Sequence, residues 1–141
     1  MAGEAISFTT FNLLNFNAAD RRMYRDDDAL SADEVEAKVA WTAAMLPRVE
    51  ADVIGFQELW DPPTLQRALD ASGLGPTHGL LAPPEHDGRS IVCAAAVRRE
   101  LMDGEPEWIT EFPKGFRIES QGDDPQTPDL TVGIDAFHVR H

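Results

Sequence analysis

The sequence predicts an α/β fold, because a strand, a helix and a second strand follow one another in its first 60 residues. Residues 5–14 alternate as strands do, and residues 31–49 carry apolar side chains at helical spacing. Residues 51–60 contain a near-continuous apolar run of strand length. A crossover of this kind is right-handed and places its two strands parallel and close together.

Length and composition predict one globular unit. The chain has 141 residues, and 43% of them are hydrophobic, which allows one modest core and no second domain. No basic start precedes an apolar stretch, and no run is long enough to cross a bilayer, so we expect a soluble, cytoplasmic protein without a transmembrane segment. Cys93 lies inside an apolar run and is expected to be a small buried hydrophobe. The oligomeric state is not predicted.

The charge of the chain argues against nucleic acid as the favoured partner. The formal net charge is −13, from 25 acidic and 12 basic residues. The one basic cluster, Arg21, Arg22 and Arg25, is followed directly by three aspartates at 26–28 that cancel much of its field, so we expect a solvated loop there. A polyanionic substrate would have to be held locally, by a metal ion or a few arginines.

The first predicted strand, residues 5–14, carries apolar side chains on both faces and is expected to be buried on both sides. Asn12 is unusual within it, since a buried amide must find hydrogen-bond partners. It therefore indicates a polar site near the end of the strand. The alternative is a turn-forming residue that opens the loop at 15–17.

A helix is predicted to begin at Ser31, which forms a capping box with Glu34. Pro47 falls where this helix should end. Trp41 is expected to pack at its margin. The apolar stripe that faces the sheet consists of Val35, Val39, Thr42, Leu46 and Val49.

The second predicted strand ends in Gln57 and Glu58, and ligands of α/β sheets gather at that end of the strands. A carboxylate there suits a hard cation such as Mg²⁺, although a solvated Glu that closes a strand is the plain alternative. Because parallel neighbours end at one edge, Asn12 and Glu58 should converge there into a polar site.

The rest of the chain is expected to form structural elements that support the site and carry no site residue. Asp61 and two prolines should begin a second helix that stops at Gly73. Residues 77–82 and 90–97 should form two strands around a turn. For residues 103–129 we expect irregular connections, with short edge strands near Trp108 and Phe116. The four histidines lack the partners of a structural zinc site, so zinc is not expected; they are His78, His86, His138 and His141.

Several of these residues stand in an order that resembles the opening of the endonuclease/exonuclease/phosphatase family, which shares the fold of pancreatic-type deoxyribonuclease. They are Thr10-Phe11-Asn12, then Lys38 and Trp41 on a helix, then the segment ADVIGFQE at 51–58. The resemblance implies a four-layer α/β/β/α sandwich that hydrolyses phosphoesters with Mg²⁺ or Mn²⁺. It also implies that Glu58 is a metal ligand and that Asn12 is a catalytic residue, orienting the metal shell or the scissile phosphate.

The chain departs from this family in its later part. The G-D-x-N and S-D-H segments, which supply further ligands and the general base, have no counterpart before His141. Residues 1–141 are therefore expected to be the N-terminal part of such a domain, truncated before the C-terminal catalytic motifs, and His138 is left outside the catalytic set. Two hypotheses follow: a phosphodiesterase, phosphatase or nuclease, catalytically incomplete as this chain, or a non-catalytic α/β module that binds a metal, ligand or protein partner.

Overall fold

A four-stranded mixed sheet and two α-helices make up the part of the chain that the computed structural model describes, residues 5–84, 86–109 and 113–114. All six elements lie in the first of two compact units, Met1–Pro106. They are β1 (Phe8–Phe16), α1 (Ala32–Met45), β2 (Val53–Leu59), α2 (Pro62–Ala71), β3 (His78–Leu81) and β4 (Val92–Arg98). One short 3-10 turn follows α1, at Leu46–Arg48, and another follows β4, at Arg99–Leu101.

The strand order is β1-β2-β4-β3. Strands β1 and β2 are parallel, with Phe8 opposite Val53, as the crossover predicted. Strand β4 is antiparallel to both β2 and β3. The α/β class and the parallel pair are thus confirmed, and the carboxyl ends of β1 and β2 lie at one edge with the loop that joins β3 to β4.

Both predicted helix starts are confirmed. Ser31 Oγ accepts from the backbone N–H of Glu34 at 3.4 Å, and the Glu34 carboxylate accepts from the Ser31 N–H at 2.8 Å, which completes the capping box. Helix α2 begins after Asp61, whose carboxylate accepts from Thr64 N at 2.9 Å. Gly73 follows this helix with φ of 84°, the left-handed conformation that ends helices.

The hydrophobic core lies between the helices and one face of the sheet. Ile54 and Phe56 of β2 and Ala96 of β4 are fully buried there. Strand alternation places them on one face, because Ile54 stands opposite Ala96 in the register. The helices and the 3-10 turn after α1 contribute apolar side chains to the same core: Val35, Val39, Leu46, Leu65, Ala68 and Leu69.

The other face of the sheet, here called the open face, is exposed at Phe8, Thr10 and Cys93. The expectation that the first strand is buried on both sides was therefore wrong, as was the expectation that Cys93 is buried. Both helices pack into one core, so the alternate side chains of each strand point away from it. The surrounding protein still desolvates the Cys93 thiol enough to raise its pKa.

Residues 106–109 lie outside any strand, so the edge strand predicted near Trp108 is wrong. The strand predicted near Phe116 lies outside the described residues, as do His138 and His141. Within the described part of the chain, no helix combines the length and apolar character needed to span a membrane.

Candidate functional site

Asn12 and Glu58 meet at the carboxyl ends of β1 and β2. Asn12 Nδ2 donates to Glu58 Oε1 at 2.8 Å. The backbone N–H of Asn15 donates to the other carboxylate oxygen, Oε2, at 3.2 Å. Asn12 Oδ1 is held in turn by the N–H of Leu14 at 2.8 Å. The structure therefore brings the two sequence-predicted site residues into direct contact, and both side chains have fixed orientations.

This contact depends on a local departure from strand geometry. Asn12 stands opposite Gln57 in the register, so a regular strand would turn Glu58 to the other face. Instead Glu58 has φ of 61°, and the pairing of β2 with both neighbours is interrupted beside it. Leu14 and Asn15, at the end of β1, are also left-handed, with φ of 53° and 57°. Such conformations cost on the order of 1 kcal/mol or more for each residue and cluster at functional sites.

Lys38 of α1 holds the left-handed turn in place. Its ammonium donates to the carbonyl of Leu14 and, at 3.4 Å, to that of Asn15, and it lies 5.8 Å from the centroid of the Phe16 ring. Burial lowers the pKa of Lys38, and the charge of Glu58 opposes part of that shift. Lys38 thus acts on the site by fixing the backbone that presents the Asn15 N–H to Glu58.

Asn15 is the residue that sequence reasoning missed. Its Oδ1 accepts from Tyr24 OH at 3.0 Å and from Trp60 Nε1 at 3.1 Å, and the two aromatic rings meet edge to face at 5.2 Å. Its backbone binds both Glu58 and Lys38. The available signal was an Asn directly after a strand, since Asn adopts the left-handed conformation more readily than most residues.

The loop between β1 and α1 is ordered by Asp28. Its Oδ1 accepts from Met23 N at 2.8 Å, and its Oδ2 accepts from Tyr24 N at 2.6 Å and Arg25 N at 2.7 Å. Desolvation raises the pKa of Asp28, but these backbone hydrogen bonds and the charge of Arg25 leave it below its ordinary value of 3.8. The three aspartates at 26–28 therefore do not simply cancel the arginines, because Asp28 binds the backbone instead.

The lowered pKa of Asp28 predicts that acid disorders this loop. A carboxyl whose pKa is lower in the folded state stabilises that state above its ordinary pKa, here 3.8, and loses this effect as pH falls through the folded value. Below that range we expect the Tyr24 contact with Trp60 to be lost. The indole N–H resonance of Trp60, followed by NMR during acidification, should shift in this range. Asp28→Asn should show the shifted resonance already at neutral pH, and an unchanged resonance would contradict the role of Asp28.

The donor set around Glu58 fits a hard cation only if water and substrate complete the shell. Each Glu58 oxygen accepts one of the hydrogen bonds described above and keeps a lone pair, and the Asn12 amide oxygen, which accepts from Leu14 N, keeps one too. Mg²⁺ is commonly bound by one or two protein carboxylates together with water and phosphate oxygens. Within the residues that the structure covers, no group of three His, Cys, Asp or Glu side chains is placed to hold a metal ion.

Comparison with protein-family models, with curated proteins and with solved structures found no match for this chain. Its function is therefore inferred from the geometry at Asn12 and Glu58 and from the order of the motifs that contain them.

Proposed function

We propose that the chain carries the N-terminal part of a metal-dependent phosphoester hydrolase of the endonuclease/exonuclease/phosphatase kind, in a four-layer α/β/β/α sandwich. The observation that supports this most directly is the hydrogen bond between Asn12 and Glu58, made by a Glu58 in a strained left-handed conformation. A Glu that merely closes a strand has no need of this conformation or of two fixed donors. The open face, where Phe8 is 72% exposed, supports the sandwich, because a second sheet would cover it.

In this proposal Glu58 binds Mg²⁺ or Mn²⁺, and Asn12 orients the carboxylate. Asn12 Nδ2 has a second N–H, which is available to a phosphate oxygen of the substrate. The bound ion would polarise the phosphoryl oxygens. Asn15 and Lys38 are positioning residues, since they act through Glu58 and the backbone beside it. Hydrolysis also needs a general base, which we expect outside the described residues.

The alternative is a non-catalytic α/β module that binds a metal, ligand or protein partner. Phosphoester turnover separates the two proposals, because the module has none. Metal binding at Glu58 is required by the hydrolase and not by a module that uses another surface. In either case we propose a cytoplasmic location, a reducing compartment in which the exposed thiol of Cys93 stays free.

The first test is metal binding. Titration with Mn²⁺ should show one weak site in the wild type, and Glu58→Gln should bind roughly tenfold more weakly, since a neutral amide replaces the charged ligand. Glu105→Gln is the matched control, because Glu105 is an exposed glutamate beyond the last strand of the sheet, and it should bind as the wild type does. Equal titrations for the wild type and Glu58→Gln would remove Glu58 from the site.

The second test is substrate choice. We expect the full-length gene product to prefer a small or lipid-linked phosphoester over duplex DNA, because a net charge of −13 repels a long polyanion. The assay offers plasmid DNA and a panel of phosphomonoesters and phosphodiesters, with Mg²⁺ at low salt. Plasmid nicking without turnover of the small substrates would identify a nuclease. No turnover of any substrate, together with no metal binding at Glu58, would favour the non-catalytic module.

A further inference from the structure

A cleft of about 470 Å³ opens between the loop after β1 and the loop that joins β3 to β4. We call it the arginine cleft, and its lining consists of Arg21, Arg22, Met23, Asp87, Gly88 and Arg89. Among the described residues this lining holds three guanidinium groups and one carboxylate, although the chain as a whole has a net charge of −13. Each arginine is paired with an aspartate, Arg21 with Asp61, Arg22 with Asp26 and Arg89 with Asp87. Guanidinium groups that are confined to one cleft of an acidic protein are suited to a small anion and not to an extended polyanion.

Arg21 is held in the cleft by one buried carboxylate. Its Nη1 lies 3.2 Å from Oδ1 of Asp61, a buried residue. The other Asp61 oxygen accepts from Thr64 N and Oγ1, at 2.9 and 2.6 Å, so the carboxylate that holds Arg21 is itself fixed. Gly88 leaves room for the guanidinium, because a Cβ at that position would lie 2.7 Å from Arg21 Nη1. Arg21 therefore has a defined position within the cleft.

The arginine cleft lies at the same edge of the sheet as Glu58. Asp61 follows Glu58 by three residues, so their Cα atoms are at most about 11 Å apart. The intervening Trp60 donates its indole N–H to Asn15, which also binds Glu58. His86 belongs to the loop between β3 and β4, and its Nε2 lies 2.7 Å from the Trp60 carbonyl. This loop therefore contacts the same edge of the sheet.

We propose that Arg21, Arg22 and Arg89 bind a phosphate group, the non-reacting phosphate of a substrate that carries a second phosphate besides the one hydrolysed. The assignment of this phosphate to a substrate rests on the proposed function, whereas phosphate binding itself does not. Guanidinium groups bind phosphate through paired charge-assisted hydrogen bonds. Arg22 and Arg89 now contact the exposed carboxylates of Asp26 and Asp87, and exposed pairs of this kind are weak enough for a dianion to replace them.

The test is titration of the intact chain with inorganic phosphate, at low ionic strength and without divalent cations. The wild type should bind phosphate, and the double variant Arg22→Gln/Arg89→Gln should bind at least roughly tenfold more weakly. Both side chains are mainly exposed, so the variant should keep its fold, which circular dichroism checks. Arg25→Gln is the charge control: it removes one positive charge from the loop that also carries Arg22, but Arg25 is not part of the cleft lining.

Three results would overturn the proposal: no phosphate binding by the wild type, unchanged phosphate binding by the double variant, or an equal loss of binding in Arg25→Gln. Glu58→Gln should bind phosphate as the wild type does, so failure of the proposed metal site leaves this measurement unchanged. If Glu58→Gln abolishes phosphate binding and the double variant does not, the phosphate lies at Glu58 and the cleft is excluded. Binding to vesicles that contain phosphatidic acid, compared with vesicles of phosphatidylcholine alone, tells whether a lipid headgroup or a soluble molecule presents the phosphate. Binding of either kind that depends on Arg22 and Arg89 supports the cleft.

Discussion

Phe56→Ala should lower the free energy of unfolding by about 3–5 kcal/mol. The side chain is 0% exposed in the centre of β2, on the face that the helices cover, and its ring meets Phe11 edge to face at 6.3 Å. Truncation removes this buried area and leaves a cavity that the surrounding core fills only partly. Since domains are stable by about 5–15 kcal/mol, a large part of the total would be lost. Urea denaturation followed by circular dichroism measures the change.

Phe8→Ala is the matched control for Phe56→Ala. Phe8 lies on the neighbouring strand but on the open face, where it is 72% exposed, so its removal should change the free energy by less than about 1 kcal/mol. If Phe8→Ala destabilises the protein as much as Phe56→Ala does, another surface covers the open face. That outcome would support the second sheet of the proposed sandwich and contradict the exposure of Phe8 in this structure.

His78→Ala should lower the free energy of unfolding by about 2–4 kcal/mol, through a cavity and an unsatisfied buried acceptor. His78 is 0% exposed. Its Nε2 lies 3.0 Å from the carbonyl of Ala51, which can only accept, so Nε2 carries the proton and donates. Nδ1 lies 2.9 Å from Thr77 Oγ1. Because Ala51 lies two residues before β2, the same bond anchors the strand that carries Glu58.

Thr77→Val separates the two hydrogen bonds of His78. It removes the hydroxyl, whose one proton is shared between His78 Nδ1 and the Leu74 carbonyl 3.1 Å away, and it keeps the shape of the side chain, so we expect a loss of only about 1 kcal/mol in the same denaturation experiment. If His78→Ala lowers the free energy of unfolding no more than Thr77→Val does, the hydrogen bond to the Ala51 carbonyl contributes little to stability, and His78 contributes by packing only.

The local elements could be predicted from sequence because their causes are local. Ser31 and Glu34 are three residues apart, and the capping box they form depends on that spacing. Asp61 begins α2 and Gly73 follows it for similar reasons. The proximity of Asn12 and Glu58 could also be predicted, since a crossover connection leaves the ends of its two strands at one edge.

The hydrogen bonds that shape the site could not be predicted in this way. The positive φ of Glu58 is accommodated by donors from β1, more than forty residues earlier in the chain. Asn15 looked like a turn residue until Trp60 and Tyr24 were seen to converge on it. Nothing local links Arg21 to Asp61, which are also forty residues apart.

The sequence by itself determined the α/β class, the helix boundaries and the meeting of an amide with a carboxylate, because hydrophobic period, capping residues and crossover handedness act over a few residues or one connection. Only the tertiary structure decided which sheet face is exposed, since Phe8 and Phe56 are equally apolar and alternation alone does not say which face the helices cover. It also decided the left-handed conformation of Glu58 and the position of Arg21, because each is stabilised by contacts between segments that are distant in sequence.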